Sequence, residues 1–141
     1  MAILLVRHAR AGKRGTYADD AIRPLDAKGH KQATRLAELL AARPIRRILS
    51  SRYTRCVQTV EPLAAALSLE IELREELAEG APAPAVRNLL EELRDIDGDV
   101  ALCTHGDVIA ELIGYDRPAK KGSVWVLDPK RDFELVEYVT V

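Results

Sequence analysis

The sequence predicts an α/β fold of three layers, α/β/α, with helices on both faces of a mostly parallel central sheet. Three observations predict it. Short apolar runs alternate with helical periodicities along the whole chain. Two of the runs, Ala2–Val6 and Val100–Cys103, are continuously apolar, as strands covered on both faces are. The last two runs are joined by the polar turn Asp128-Pro129-Lys130-Arg131, which predicts an antiparallel hairpin at the C-terminal edge of the sheet.

Taken in order, the first strand is Ala2–Val6. The polar stretch from Arg7 to Leu25 follows, with Gly12, Gly15 and Pro24; a loop this long inside a compact domain points to function. A helix is predicted over Asp26–Arg43, because Ala33, Leu36, Ala37 and Leu40 share one face. Ile45–Leu49 reads as the second strand. Arg52–Leu67 reads as a helix with Val57, Val60, Ala64 and Leu67 inward, kinked or shorn of its first turn at Pro62. Leu69–Leu73 is a third strand and Glu75–Pro84 a loop. Val86, Leu89, Leu90 and Leu93 mark a third helix. Val100–Cys103 is the next strand, and Val108, Ile109 and Leu112 mark the helix after it. Ser123–Leu127 and Phe133–Val139 form the hairpin.

Composition bounds the function. At 141 residues, residues 1–141 are read as one domain. The chain is 48% hydrophobic and 30% charged, which excludes a disordered chain. Its net charge of −1 excludes a general nucleic-acid binder. Cys56 and Cys103 are too few for a disulfide framework and have no zinc spacing; they read as half-buried thiols in a reducing compartment. No metal site and no cofactor are expected. The opening apolar run is too short for a secretory signal, and no stretch approaches the ~18 residues of a membrane span. The expectation is a soluble, cytoplasmic protein with no membrane or nucleic-acid partner.

Ligands of such sheets bind beyond the carboxyl ends of the strands. Arg7-His8 follows the first strand directly, and His105-Gly106 follows the Val100–Cys103 strand. Two of the three histidines therefore meet at one sheet edge; His30 lies on the polar side of its helix and reads as surface. A neutral imidazole is a competent nucleophile toward phosphorus. Arginine holds phosphate with two parallel hydrogen bonds. Arg7 adjoins His8, Arg55 begins a helix, and Arg10, Lys13, Arg14 and Arg23 add positive charge in the first loop. Such a site suits a phosphorylated ligand. Lys13 and Arg14 also fit a solvated loop; Lys120 and Lys121 fit a second phosphate or, more commonly, a charged turn.

At these residues the chain resembles the histidine phosphatase superfamily, which includes the phosphoglycerate mutases. Arg7-His8-Ala9 stands where that family has Arg-His-Gly. Ser51, Arg55, Gln58 and Thr59 match Ser-x-x-x-Arg-x-x-Gln-Thr. Leu25, Gly29, Gln32 and Ala33 match Leu-x-x-x-Gly-x-x-Gln-Ala, and His105-Gly106 closes the series. Arg23-Pro24-Leu25 and the short length are similar to the SixA-type phosphohistidine phosphatases. Gly122, Ser123, Trp125, Val126 and Leu127 are similar to the phosphatase domain appended to some bacterial Nudix hydrolases.

The resemblance implies a phosphoglycerate mutase-like fold and a metal-independent phosphatase with His8 as the transiently phosphorylated nucleophile. Arg7, Arg55 and His105 would hold the phosphoryl oxygens, and Arg23, Ser51, Gly106 and Glu79 would bind substrate. Glu76 is the expected general acid by register from the third strand, with Glu79 and Asp107 as alternatives. The expected partner is a phosphorylated substrate: a phosphohistidine protein, a nucleotide or a small phosphate. Too little chain remains for capping insertions, which implies an open site and argues against a mutase. A non-catalytic phosphate-binding module is the alternative from another class, resting on Ala9 and on the unsettled acid.

Overall fold

β1 (Ile3–Arg7) lies inside a six-stranded sheet in a computed structural model that describes residues 1–141. Beside it in chain order come α1 (Ala27–Leu40), β2 (Ile45–Ser50), α2 (Thr54–Leu67), β3 (Ile71–Leu73), α3 (Ala83–Glu92), β4 (Asp99–Thr104), α4 (Gly106–Ile113), β5 (Val124–Asp128) and β6 (Glu134–Val139). The strand order is β3-β2-β4-β1-β5-β6. The first four are parallel, and β5 is antiparallel to both β1 and β6. The three-layer reading and the C-terminal edge hairpin are both present.

Strand alternation divides the core in two. Leu4 and Val6 of β1, Ile48 of β2, and Ala101 and Cys103 of β4 pack under α1 and α2, against Leu36, Leu40, Val60 and Leu63. Ile3 and Leu5, Leu49, and Val100 and Leu102 face the other way, against Leu89 and Leu90 of α3 and Ile109 of α4. Both faces of β1 and β4 are therefore dry, which is why these strands carry no polar alternation.

Four expectations are corrected. α2 runs unbroken through Pro62, which splits off no turn. Its buried apolar face is Cys56, Val60, Leu63 and Ala64, one position round from the expected stripe, and Val57 is only half-buried. The region from Glu75 is not all loop: Glu75–Leu77 forms a 3-10 turn, and α3 starts at Ala83. The thiols of Cys56 and Cys103 are free and fully buried rather than half-buried. No helix is long and apolar enough to cross a membrane.

Candidate active site

The register between strands assembles the site. β1 and β4 pair in parallel with Arg7 opposite Thr104, so the next residue of each, His8 and His105, emerges side by side. The His8 backbone N–H donates to the Thr104 carbonyl at 3.1 Å. The two rings meet edge to face with centroids 5.3 Å apart. β2 lies on the far side of β4, and Ser51 continues it with its N–H on the Cys103 carbonyl at 3.0 Å. Three neighbouring strand ends thus deliver Ser51, His105 and His8 in a row.

His8 is buried, and its Nδ1 lies 2.8 Å from the Ala9 carbonyl oxygen. A carbonyl can only accept, so Nδ1 carries the proton and Nε2 keeps its lone pair. Burial pulls the His8 pKa down to about 3; the Ala9 bond opposes this, and the neighbouring His105, Arg55 and Arg7 lower it further. The imidazole is neutral at physiological pH.

His105 is buried against Ser51, whose Oγ lies 2.9 Å from Nε2 while accepting the Tyr53 N–H at 3.2 Å. Tyr53 closes the other edge of the ring, 4.8 Å centroid to centroid. Nδ1 of His105 is buried and has no protein partner. Ser51 is fully buried behind His105 and does not line the cavity. The expectation that it touches substrate is replaced by a bond to His105.

Arg7 donates from Nη1 to the Ala119 carbonyl at 2.6 Å, and its buried Nε has no partner. Its guanidinium covers Gly106 so closely that a Cβ there would stand 2.8 Å from Cζ. Gly106 lines the cavity, and its contribution is the space it leaves for Arg7. Arg55 is fully buried beneath the first loop. Its Nη1 donates to the Asp20 carbonyl at 2.9 Å, and Nη2 lies 3.1 Å from the Asp20 carboxylate and 3.3 Å from Glu79. Asp20 is a residue the sequence reading missed; the signal was an Asp19-Asp20 pair within an otherwise cationic loop. The hydrogen bond from Arg23, aided by the charges of Arg55, Arg23 and Arg14, holds the Asp20 pKa near 2.

The motif residues without chemistry of their own hold the loop after His8. Thr59 Oγ1 accepts the Ala9 N–H at 2.9 Å, Gln32 Oε1 accepts the Arg10 N–H at 2.9 Å, and Gln58 Oε1 accepts the Leu25 N–H at 2.9 Å. A Cβ on Gly29 would stand 1.9 Å from the Arg10 carbonyl oxygen, so only glycine lets α1 approach there. Ala9 is fully buried with Leu25 and Ala33, and its φ is not positive, so alanine sits there without strain.

Above these residues opens a cavity of about 910 Å³. His8, His105, Arg7, Arg23 and Glu79 line it, and the fully buried Arg55 does not. Glu76 does not: it is turned to Arg74 at 2.9 Å, whose hydrogen bond lowers its pKa. The expected acid is corrected on this point, because Glu76 belongs to the 3-10 turn that follows β3, where Arg74 captures it. Glu79 and Asp107 are the carboxylates near the histidines, and both are engaged. Glu79 contacts Arg55 and Arg14 at 3.3 and 3.0 Å, and Asp107 accepts the Gly80 N–H at 2.8 Å. Lys13 and Arg14 are exposed, as a solvated loop implies, yet both line the cavity; Lys121 lines it and Lys120 does not. His30 is exposed and outside it. Seven lining residues are Arg or Lys against three Asp or Glu, so a chain of net charge −1 concentrates positive charge at one place. No cluster of three His, Cys, Asp or Glu side chains could hold a metal ion.

Comparison with known proteins places the chain among relatives. A family model described as the histidine phosphatase superfamily (branch 1) matches residues 3–82. An 8-oxo-(d)GTP phosphatase of Mycolicibacterium smegmatis is 39% identical over 148 residues, covering 95% of this chain and 46% of that protein. The chain thus spans about half the length of that relative. The protein histidine phosphatase SixA, solved with tungstate, superposes with a TM-score of 0.81 at 24% identity over 99% of this chain and 97% of that one. A phosphoserine phosphatase of Entamoeba histolytica superposes with a TM-score of 0.77 at 13% identity, covering 97% and 95%.

Proposed function

The chain belongs to the histidine phosphatase superfamily, and on that premise we propose that it is a phosphatase which takes a phosphoryl group onto His8 and passes it to water. The observation that carries the reading is the bond between His8 Nδ1 and the Ala9 carbonyl, which leaves Nε2 unprotonated toward the cavity. Nε2 attacks phosphorus in line with the leaving group, and water then attacks the phosphohistidine, so one hard step becomes two easier ones. Arg7 and the free Nδ1–H of His105 stabilise the charge on the transferring oxygens, which is where such donors matter most. Arg55, fully buried and outside the cavity lining, adds its positive charge beside His8.

Both carboxylates near the histidines are occupied with other partners. The reading therefore favours a leaving group that departs without a proton, a phosphoanhydride or phosphoramidate over an alkyl ester. The 39% identical 8-oxo-(d)GTP phosphatase supports a nucleotide or other anhydride. The likeness to SixA is one of fold, and a phosphohistidine protein stands as the second substrate.

The test is a short incubation with a labelled phosphodonor, followed by a substrate screen. Acid-labile phosphate should be trapped on the native protein and not on His8→Ala, vanadate should inhibit, and EDTA should leave the rate unchanged. Equal labelling of both proteins would refute the nucleophile. Activity on a phosphohistidine protein without activity on nucleotides would reverse the substrate preference.

A further inference from the structure

The positive charge of the cavity exceeds what one phosphoryl group uses, and two of its unpaired cations share one segment. Arg10, Arg14 and Arg23 are each tied to a carboxylate, at 2.9 Å to Asp26, 3.3 Å to Asp20 and 2.8 Å to Asp20 respectively. Lys13, Arg117 and Lys121 line the same cavity with no acidic partner within 4.0 Å; Lys13 lies in the exposed first loop, and the other two share the segment Arg117–Lys121.

Their segment is built onto the strand end that carries His8. The Gly122 N–H bonds to the carbonyls of both Arg7 and His8 at 3.1 Å, the Arg7 N–H bonds to the Ser123 carbonyl at 3.0 Å, and Arg7 Nη1 bonds to Ala119 at 2.6 Å. Gly122 has φ +81°, a conformation that favours glycine, so the turn that presents Lys121 is fixed. Arg7, Arg10, Arg23 and Lys121 line one cavity; partial desolvation of Lys121 lowers its pKa, those three charges lower it further, and Asp26 opposes them. The apolar lining is three alanines, Ala11, Ala110 and Ala119, and no Phe, Tyr or Trp ring is offered to a base. This lining can recognise negative charge and little else.

We propose that Lys121 and Arg117 form a second anion subsite, joined to His8 through Arg7, which holds the penultimate phosphate of a condensed phosphate chain. The proposal rests on the phosphatase reading above and names its substrate class: a compound ending in a phosphoanhydride, whatever group lies beyond. His8 Nε2 forms the N–P bond to the terminal phosphorus. The bridging P–O bond breaks, and its electron pair stays on the oxygen of the shortened chain, where Lys121 and Arg117 neutralise it without a proton. Water then attacks phosphorus, the N–P pair returns to Nε2, and inorganic phosphate leaves with the water's proton count conserved.

The full chain should be titrated calorimetrically with inorganic phosphate and with methylenediphosphonate, a diphosphate analogue that cannot be hydrolysed. The native protein should bind the diphosphonate at least roughly tenfold more tightly than phosphate. That ratio should fall at least about fivefold in Lys121→Met and further in Lys121→Met/Arg117→Ala. Both side chains are exposed, so both variants should melt with the native protein. Equal affinity for the two ligands in the native protein, or an unchanged ratio in the variants, would overturn the subsite. Binding is measured without turnover, so a protein that shows the ratio but never labels His8 would defeat the phosphatase reading alone. One that labels His8 without the ratio would defeat the subsite alone.

Discussion

The Nδ1 atom of His8 lies 2.8 Å from the carbonyl oxygen of Ala9, its own neighbour in the chain. That one contact sets the tautomer, because a carbonyl has no proton to give. Nitrogen NMR of the imidazole should show Nδ1 protonated and the ring neutral down to about pH 4, since burial holds its pKa near 3. An imidazolium at pH 6 would contradict the geometry.

The same depressed pKa has a consequence for stability. The unfolded chain protonates His8 near 6.5 and the folded chain only near 3, so between those values the unfolded state binds more protons. The stability linked to His8 is whole above pH 6.5 and is lost as pH falls toward 3. Urea unfolding at stepped pH should show His8→Asn losing less stability across this window, by up to ~1.4 kcal/mol per pH unit. Parallel curves for the two proteins would place the acid sensitivity elsewhere.

Ser51 orients His105 from behind, at 2.9 Å. Ser51→Ala should lower kcat with little change in KM and cost about 1–3 kcal/mol, the penalty of leaving a buried polar atom unpaired. Ser51→Thr should restore part of both. A variant that raises KM alone would instead place Ser51 at the substrate.

Gly106 and Gly29 are close-approach glycines of different kinds. A methyl at Gly106 meets the end of the flexible Arg7 side chain, whereas at Gly29 it meets the Arg10 backbone. Gly106→Ala should therefore fold normally and lose roughly 10²-fold in kcat/KM through a displaced guanidinium. Gly29→Ala should lose about 1–3 kcal/mol or more of stability. Thermal melts and kinetics on both variants separate the two effects.

Glu76→Gln should leave activity unchanged, because it loses only a partly exposed pair with Arg74 worth ~0–1 kcal/mol. Glu79→Gln should change the hydrolysis of aryl and alkyl phosphates alike, since Glu79 acts through its contact with Arg55. A loss confined to the alkyl ester would make Glu79 the proton donor.

Ala9→Gly, which restores the family's usual residue, should destabilise by about 1–2 kcal/mol. It frees the unfolded chain and removes a buried methyl group packed between Leu25 and Ala33. Activity should not rise, because the Ala9 N–H and carbonyl already hold Thr59 and His8.

Much of this protein was legible in its sequence. Continuous apolar runs name strands buried on both faces, because water reaches neither side of them. The placement of Arg7-His8 and His105-Gly106 after two such runs follows from the rule that α/β sheets bind at their carboxyl edge. The motif spacings Ser51–Thr59 and Leu25–Ala33 were visible too, although their work, hydrogen-bonding the backbone of Ala9, Arg10 and Leu25, was not.

What only the tertiary structure decided is which groups meet across the chain. Register between β1 and β4 brings His8 to His105, and a periodicity read along one strand carries no information about its partner's register. Glu76 and Glu79 are near neighbours in sequence, but Glu76 lies in the 3-10 turn and pairs with Arg74, whereas Glu79 lies beyond it and meets Arg55. Pro62 looks like a break until packing of the flanking Leu63 and Val60 holds the helix through it. Lys121 reads as a charged turn until Gly122 fastens that turn to the strand end of His8. Apolar pattern is set by burial, which each residue reports locally; the aim of a charged side chain is set by partners that lie far off in sequence, and only the folded chain brings them within reach.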